Sequence, residues 1–154
     1  MRLELSRDQL AQIHAALERA YPDEGCGVLL GRGDGARQVA EVMAFENTRE
    51  DSRANRYLIA PGQVLEAERR ARAQALDVVA FFHSHPDHPA RPSAFDLEHA
   101  WPWYDYVIVG VVRGRAEATT AWRLRDDRAA FDEVEVAIVA PHAARAAADP
   151  AAEE

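Results

Sequence analysis

The chain has 154 residues, 48% of them hydrophobic, and a formal net charge of −8. That length favours one domain with a real core, and an acidic chain without a basic run offers no surface for phosphates, so nucleic acid is not an expected partner. No apolar run is long enough to span a bilayer, the N-terminus MRLELSRDQL lacks the apolar core of a secretory signal, and the lone Cys26 cannot close an internal disulfide, so a cytoplasmic location without a membrane partner is expected.

All 18 Lys and Arg positions are arginine. The chain therefore has no lysine amine to accept an isopeptide bond. Together with the abundant alanine, this composition suggests a GC-rich bacterial genome.

Leu5-Ser6-Arg7-Asp8-Gln9-Leu10 reads as a helix start. Ser6 and Gln9 can form a capping box, with Leu5 and Leu10 at the staple positions. Leu10, Ile13 and Leu17 follow at helical spacing, and Pro22 stops the helix. Glu24 to Gly31, EGCGVLLG, reads as a strand. GRGDG turns the chain, and Arg37 to Phe45 returns as the second arm of a hairpin.

NTREDSRAN reads as a polar loop and Arg56 to Ala60 as a short strand. Pro61 suits the first position of a second helix. On that helix Val64, Ala67, Ala71 and Ala75 share a face small enough to lie close to a sheet. Glu66 with Arg70, and Glu68 with Arg72, pair four apart on its outer side. Asp77 to His83 is almost continuously apolar, as in a strand buried on both faces. A short helix is predicted from Ser93, stopping before Pro102. Asp105 to Val112, Glu117 to Leu124 and Phe131 to Val139 read as three further strands. The elements make a single α/β domain over residues 1–140, a mixed sheet with helices packed on it. The tail, 141–154, is expected to be disordered.

The chemistry is concentrated in FFHSHPDHPARPSAFD, Phe81 to Asp96. His83 and His85 are two apart, so in an extended segment their side chains point the same way. Two imidazoles at a strand's end can grip one metal ion, and Asp96 adds a carboxylate if the turn from Pro86 to Pro92 folds it back. Two nitrogens and one carboxylate leave a fourth position open for water, which is the layout of a catalytic zinc site. Such a site needs a proton acceptor, and Glu24, an acid placed before the apolar GVLL, is the candidate. Each feature also has a plainer reading. Ser93-x-x-Asp96 is a capping box in its own right, and Glu24 could be a solvated strand end. The capping and site readings are compatible.

His83-Ser84-His85-Pro86, the seven residues between His85 and Ser93, and Ser93-Ala94-Phe95-Asp96 resemble the JAMM motif of the MPN+ metalloproteases. Glu24 to Gly31 resembles that family's first strand with its glutamate, and Tyr57-Leu58-Ile59-Ala60-Pro61 resembles a segment often found before its second helix. The resemblance implies one zinc per chain held by His83, His85 and Asp96, Glu24 as general acid/base, and Ser93 helping to hold an oxyanion. It implies a cytidine deaminase-like fold, a mixed sheet sandwiched by helices. The deaminases themselves fit poorly, because their PCxxC zinc pair is absent. The short chain leaves little room for the ubiquitin-binding insertions of eukaryotic members and is more similar to small bacterial ones. The implied function is peptidase or isopeptidase cleavage after the C-terminal Gly-Gly tail of a ubiquitin-like sulfur-carrier protein. The alternatives are a zinc hydrolase of a small peptide or amide, and a non-catalytic MPN scaffold.

Several other residues invite plainer readings. Cys26, two past Glu24, could approach the metal but reads as a small buried apolar residue. His88 reads as an exposed loop histidine. His99, three past Asp96, could buttress the site. His14 is expected on the solvent side of the first helix, and His142 belongs to the tail. Trp101 and Trp103 are expected to pack under the short helix. Arg49, Arg53 and Arg56 read as a solvated charged loop.

Overall fold

The computed structural model describes residues 1–47 and 59–140. The loop at 48–55, most of the strand expected over Arg56 to Ala60, the three loop arginines, His142 and the tail lie outside these residues. Among the described residues the order is β1 (Arg2–Leu5), α1 (Arg7–Ala20), β2 (Cys26–Gly33), β3 (Ala36–Phe45), α2 (Pro61–Ala73), β4 (Asp77–Pro86), α3 (Ala94–His99), β5 (Asp105–Val112), β6 (Arg115–Leu124) and β7 (Phe131–Ile138).

The first helix starts where its chemistry places it. The Ser6 hydroxyl accepts the Gln9 N–H at 3.1 Å and the Gln9 side-chain carbonyl accepts the Ser6 N–H at 2.8 Å. Helix α1 ends at Ala20 because Tyr21 precedes a proline, which disfavours helical backbone; Tyr21 is extended, with ψ 135°. Strand β1 was not expected. Its four residues run directly into the capping box, too short to show an alternating pattern. It pairs in parallel with both β3 and β7. That double pairing closes the sheet in the order β1-β3-β2-β4-β5-β6-β7, where the sequence had suggested only a mixed sheet between helices.

Strands β2 and β4 pair antiparallel at the centre and serve two cores. Leu29, Ala80 and Phe82 pack with Ile13 and Leu17 of α1. Val28, Leu30 and partly buried Phe81 pack with Ala67 and Ala71 of α2. Successive strand residues point to opposite faces, so one sheet holds a helix on each side there. Gly27 is required at this crowded place, since a Cβ would lie 2.2 Å from the Phe82 ring. Two details of α2 differ from expectation. Ala75 falls beyond the helix, exposed and at φ 55°, and Leu76 takes the buried position. Arg70 bonds Glu41 on β3, with Glu66 on its own helix adding a weaker attraction. No helix among the described residues is long and apolar enough to cross a membrane.

One end of the closed sheet is fastened by charge. Asp105 is fully buried and accepts Arg123 Nε at 2.6 Å, with Arg37 Nη1 at 3.2 Å. The Arg37 guanidinium also donates to the Val79 and Trp103 carbonyls. The cluster thus joins β3, β4, β5 and β6. Asp105→Ala leaves buried Arg37 with only the exposed Asp34, at 3.9 Å, as counter-charge and should cost about 3–5 kcal/mol in urea unfolding. A loss below about 1 kcal/mol would contradict this role for the cluster.

Candidate metal centre

Strand β4 runs through Pro86, three residues further than expected, and carries His83 and His85 close to its end. It extends because β5 pairs with it in parallel as far as Pro86 opposite Val111. Both imidazoles continue the odd-numbered face of Phe81. They are 0% and 8% exposed. Their Nε2 atoms stand 3.2 Å apart.

Asp96 comes from α3. Ser93 caps this helix, its hydroxyl accepting the Asp96 N–H at 3.1 Å. The Asp96 carboxylate accepts the Ser93 N–H at 2.8 Å in return. The same carboxylate reaches His83 Nε2 at 3.1 Å and His85 Nε2 at 3.2 Å. The capping box therefore aims the carboxylate at both rings. Burial opposes ionisation of Asp96, but the hydrogen bonds from the two imidazoles outweigh it and hold the carboxyl well below the usual range. The His85 imidazole is also pushed down by burial, yet its bond to Asp96 leaves it above its ordinary value.

These three donors fit a tetrahedral cation. Ligand atoms about 2.0–2.1 Å from a tetrahedral zinc lie about 3.3–3.4 Å from one another; the two Nε2 atoms are 3.2 Å apart, and each meets a different oxygen of Asp96, His83 with Oδ1 and His85 with Oδ2. His85 Nδ1 donates to the Pro89 carbonyl at 2.8 Å, which fixes the ring so that Nε2 faces the shared centre.

Glu24 stands beside this trio. The pairing of Cys26 with His83 continues one step further, through a Ser84 N–H to Gly25 carbonyl bond of 3.1 Å. That register brings Glu24 opposite His85. Glu24 is 3% exposed, and its carboxylate and the two imidazoles offer ligand atoms within 4.8 Å of one another. Either carboxylate could thus join the imidazoles, but Asp96 is in contact with both rings. Burial pushes the Glu24 carboxyl up to about 8, with His85 opposing and Asp96 adding to the rise. A divalent cation nearby would favour its charged form. A groove lined by Glu24, His85, Pro86, His88, Pro89, Arg91 and Ser93 opens over the site. Residues 6–125 match the family model for prokaryotic homologs of the JAB domain.

The chain belongs to this prokaryotic JAMM/MPN family. It is 35% identical over 114 residues to the probable TtuB-protein conjugate cleaving protease of Thermus thermophilus, covering 74% of each chain. It is 38% identical over 88 residues to the desampylase of Haloferax volcanii; the match takes in 56% of this chain and 62% of that relative, under two thirds of its length. A solved protein from Desulfitobacterium hafniense, DSY2949, superposes with TM-score 0.78 at 29% identity, covering 89% of this chain and 92% of that one.

Within this JAB-family frame the remaining candidates sort by what they touch. Cys26 is buried, its sulfur 3.8 Å from the Phe45 carbonyl, and burial pushes its thiol up to about 12 with help from the Glu24 charge. His88 is exposed at the groove, as expected. His99 bonds the Phe95 carbonyl and stacks on the Phe95 ring. His14 is half-buried against Thr119, at 2.8 Å, rather than solvated. Trp101 and Trp103 are 53% and 68% exposed, stacked on each other. Ala100, Tyr106 and Leu124 fill the core they were expected to fill. The residues missed were Ser84, Asn47 and Asp87. Ser84 accepts the Gly25 N–H at 2.8 Å, Asn47 donates to the Glu24 carbonyl at 3.0 Å, and Asp87 accepts the Tyr21 hydroxyl at 2.6 Å. Each ties the Glu24 segment to the rest of the molecule, and only the position of Ser84 between the histidines could have signalled it.

Ser93→Ala removes the α3 cap and should lower stability by about 1 kcal/mol. Urea unfolding measures it, and an unchanged midpoint would mean that the hydroxyl does not hold the helix start.

Proposed function

We propose that the chain is a zinc metallopeptidase that cleaves after the C-terminal Gly-Gly of a ubiquitin-like sulfur carrier. The observation that carries this reading is the convergence of His83 Nε2, His85 Nε2 and Asp96 at 3.1 Å and 3.2 Å, with buried Glu24 alongside. His83, His85 and Asp96 would hold one zinc, which would supply Lewis-acid activation of water and of the scissile carbonyl. Glu24 takes a proton from the attacking water and passes it to the leaving amine. The Ser93 hydroxyl, at the mouth of the groove, donates to the oxygen on which charge develops. A structural zinc needs neither an adjacent buried acid nor such a donor, which favours an enzyme over a scaffold.

The relatives support the substrate class: one is named for cleaving TtuB-protein conjugates and another is a desampylase. An extended tail lying in the groove is best served by glycines where it passes close to the metal. The unit that does this work is the domain over residues 1–140, with the deaminase-like plan of a sheet between helices, acting in the cytoplasm.

The parent protein should hold one zinc. His83→Ala, His85→Ala and Asp96→Ala should each lower occupancy sharply, whereas Glu24→Gln should keep zinc and lose about 10²- to 10⁴-fold in turnover. Elemental analysis and kinetics on the same samples check this. Full zinc in all three ligand variants, or parental turnover in Glu24→Gln, would contradict it.

The substrate reading is tested by competition between a β-grasp carrier with residues added after Gly-Gly and a ubiquitin dimer, followed by intact mass. The extended carrier should be cut preferentially. Changing its last glycine to alanine should slow cleavage more than changing the next residue. Preference for the ubiquitin dimer, or indifference to that glycine, would overturn the carrier assignment and leave the zinc chemistry standing.

A further inference from the structure

Glu24 lies just outside the β2 ladder, next to a glycine. Gly25 cannot be replaced, since a Cβ there would meet Leu17 Cδ2 at 2.8 Å and Ala20 Cβ at 2.9 Å. Glycine, however, is the residue least able to hold its own backbone direction. A proton-transfer group needs a fixed direction, because small misplacements cost rate steeply.

Two side chains supply it. The Glu24 carbonyl and the Gly25 N–H belong to one peptide plane. The Ser84 hydroxyl accepts that N–H at 2.8 Å, and Asn47 Nδ2 donates to that carbonyl at 3.0 Å. In a regular antiparallel pair the Gly25 N–H would go to a backbone carbonyl; here a side chain takes it. Ser84 is fully buried on β4 between the two imidazoles, so the same strand that carries them carries this bond.

We propose that Ser84, together with Asn47, is a positioning residue that sets the Glu24 carboxylate against the metal centre by clamping the Glu24–Gly25 peptide plane. This rests on the reading of Glu24 as acid/base.

The test is a double-mutant cycle on the zinc-loaded protein, with the extended carrier as probe. Ser84→Ala and Asn47→Ala should each keep zinc and lower kcat about 10- to 100-fold, with KM changed little. In the Glu24→Gln background neither should lower kcat further, since both act through Glu24. Ser84→Thr, which retains a hydroxyl, should recover much of the rate. In zinc-free protein, hydrogen exchange at the Gly25 amide should speed up in Ser84→Ala. Asn47 lies outside the strands, so its variant provides the cycle even where Ser84→Ala folds poorly.

If Glu24→Gln loses turnover but both clamp variants keep the parental kcat, the clamp is overturned and the acid/base reading stands. Losses that add fully to that of Glu24→Gln also overturn it. Parental turnover in Glu24→Gln removes the acid/base reading, and the clamp with it.

Discussion

The site depends on the two-residue period of β4. Odd positions carry Phe81, His83 and His85 on one face, while Phe82 on the other joins the core beneath α1. Strand β4 is paired by β5 through Pro86 and by β2 as far as His83, so its backbone cannot twist the rings to the other face without breaking ladder bonds. A slip of one residue would send both rings to the opposite face. Register therefore fixes the direction of two ligands, and it brings Glu24 opposite the second.

The carboxylate that meets both imidazoles comes from an ordinary device. A capping box needs an acceptor three residues into the helix to hold the cap's N–H. Asp96 does this for Ser93 and has further lone pairs for both imidazoles. One carboxylate thus caps a helix and meets both imidazoles. The two imidazoles and the carboxylate are in mutual contact, and the Nε2–Nε2 separation of 3.2 Å is close to tetrahedral zinc spacing.

Much of this was legible in the sequence because local rules produced it. Ser6 and Gln9 marked α1, the apolar run from Asp77 marked β4, and Ser93 with Asp96 marked α3. The histidine spacing placed both rings on one face. What was not legible depends on partners distant in the chain. Strand β1 has four residues, and its place is set by pairing with β3 and β7. Trp101 and Trp103 read as core by composition, yet Ala100 had already taken the buried position and the chain turns outward after it. Arg70 makes its closest bond to Glu41 on a strand, a partner distant in the chain, with Glu66 on its own helix a weaker attraction. Ser84 was not singled out, because its hydrogen-bond partner, the Gly25 N–H, is distant in the chain.

The central claim is that two histidines and one aspartate hold a zinc whose fourth position is left for the reaction. Anomalous diffraction at the zinc edge from crystals of the loaded protein tests it most directly. The account predicts a single peak about 2.0–2.1 Å from His83 Nε2, His85 Nε2 and an Asp96 oxygen, with a solvent oxygen as fourth ligand and Glu24 uncoordinated. A peak elsewhere, or one closed by Glu24 or Cys26 in place of solvent, would contradict it.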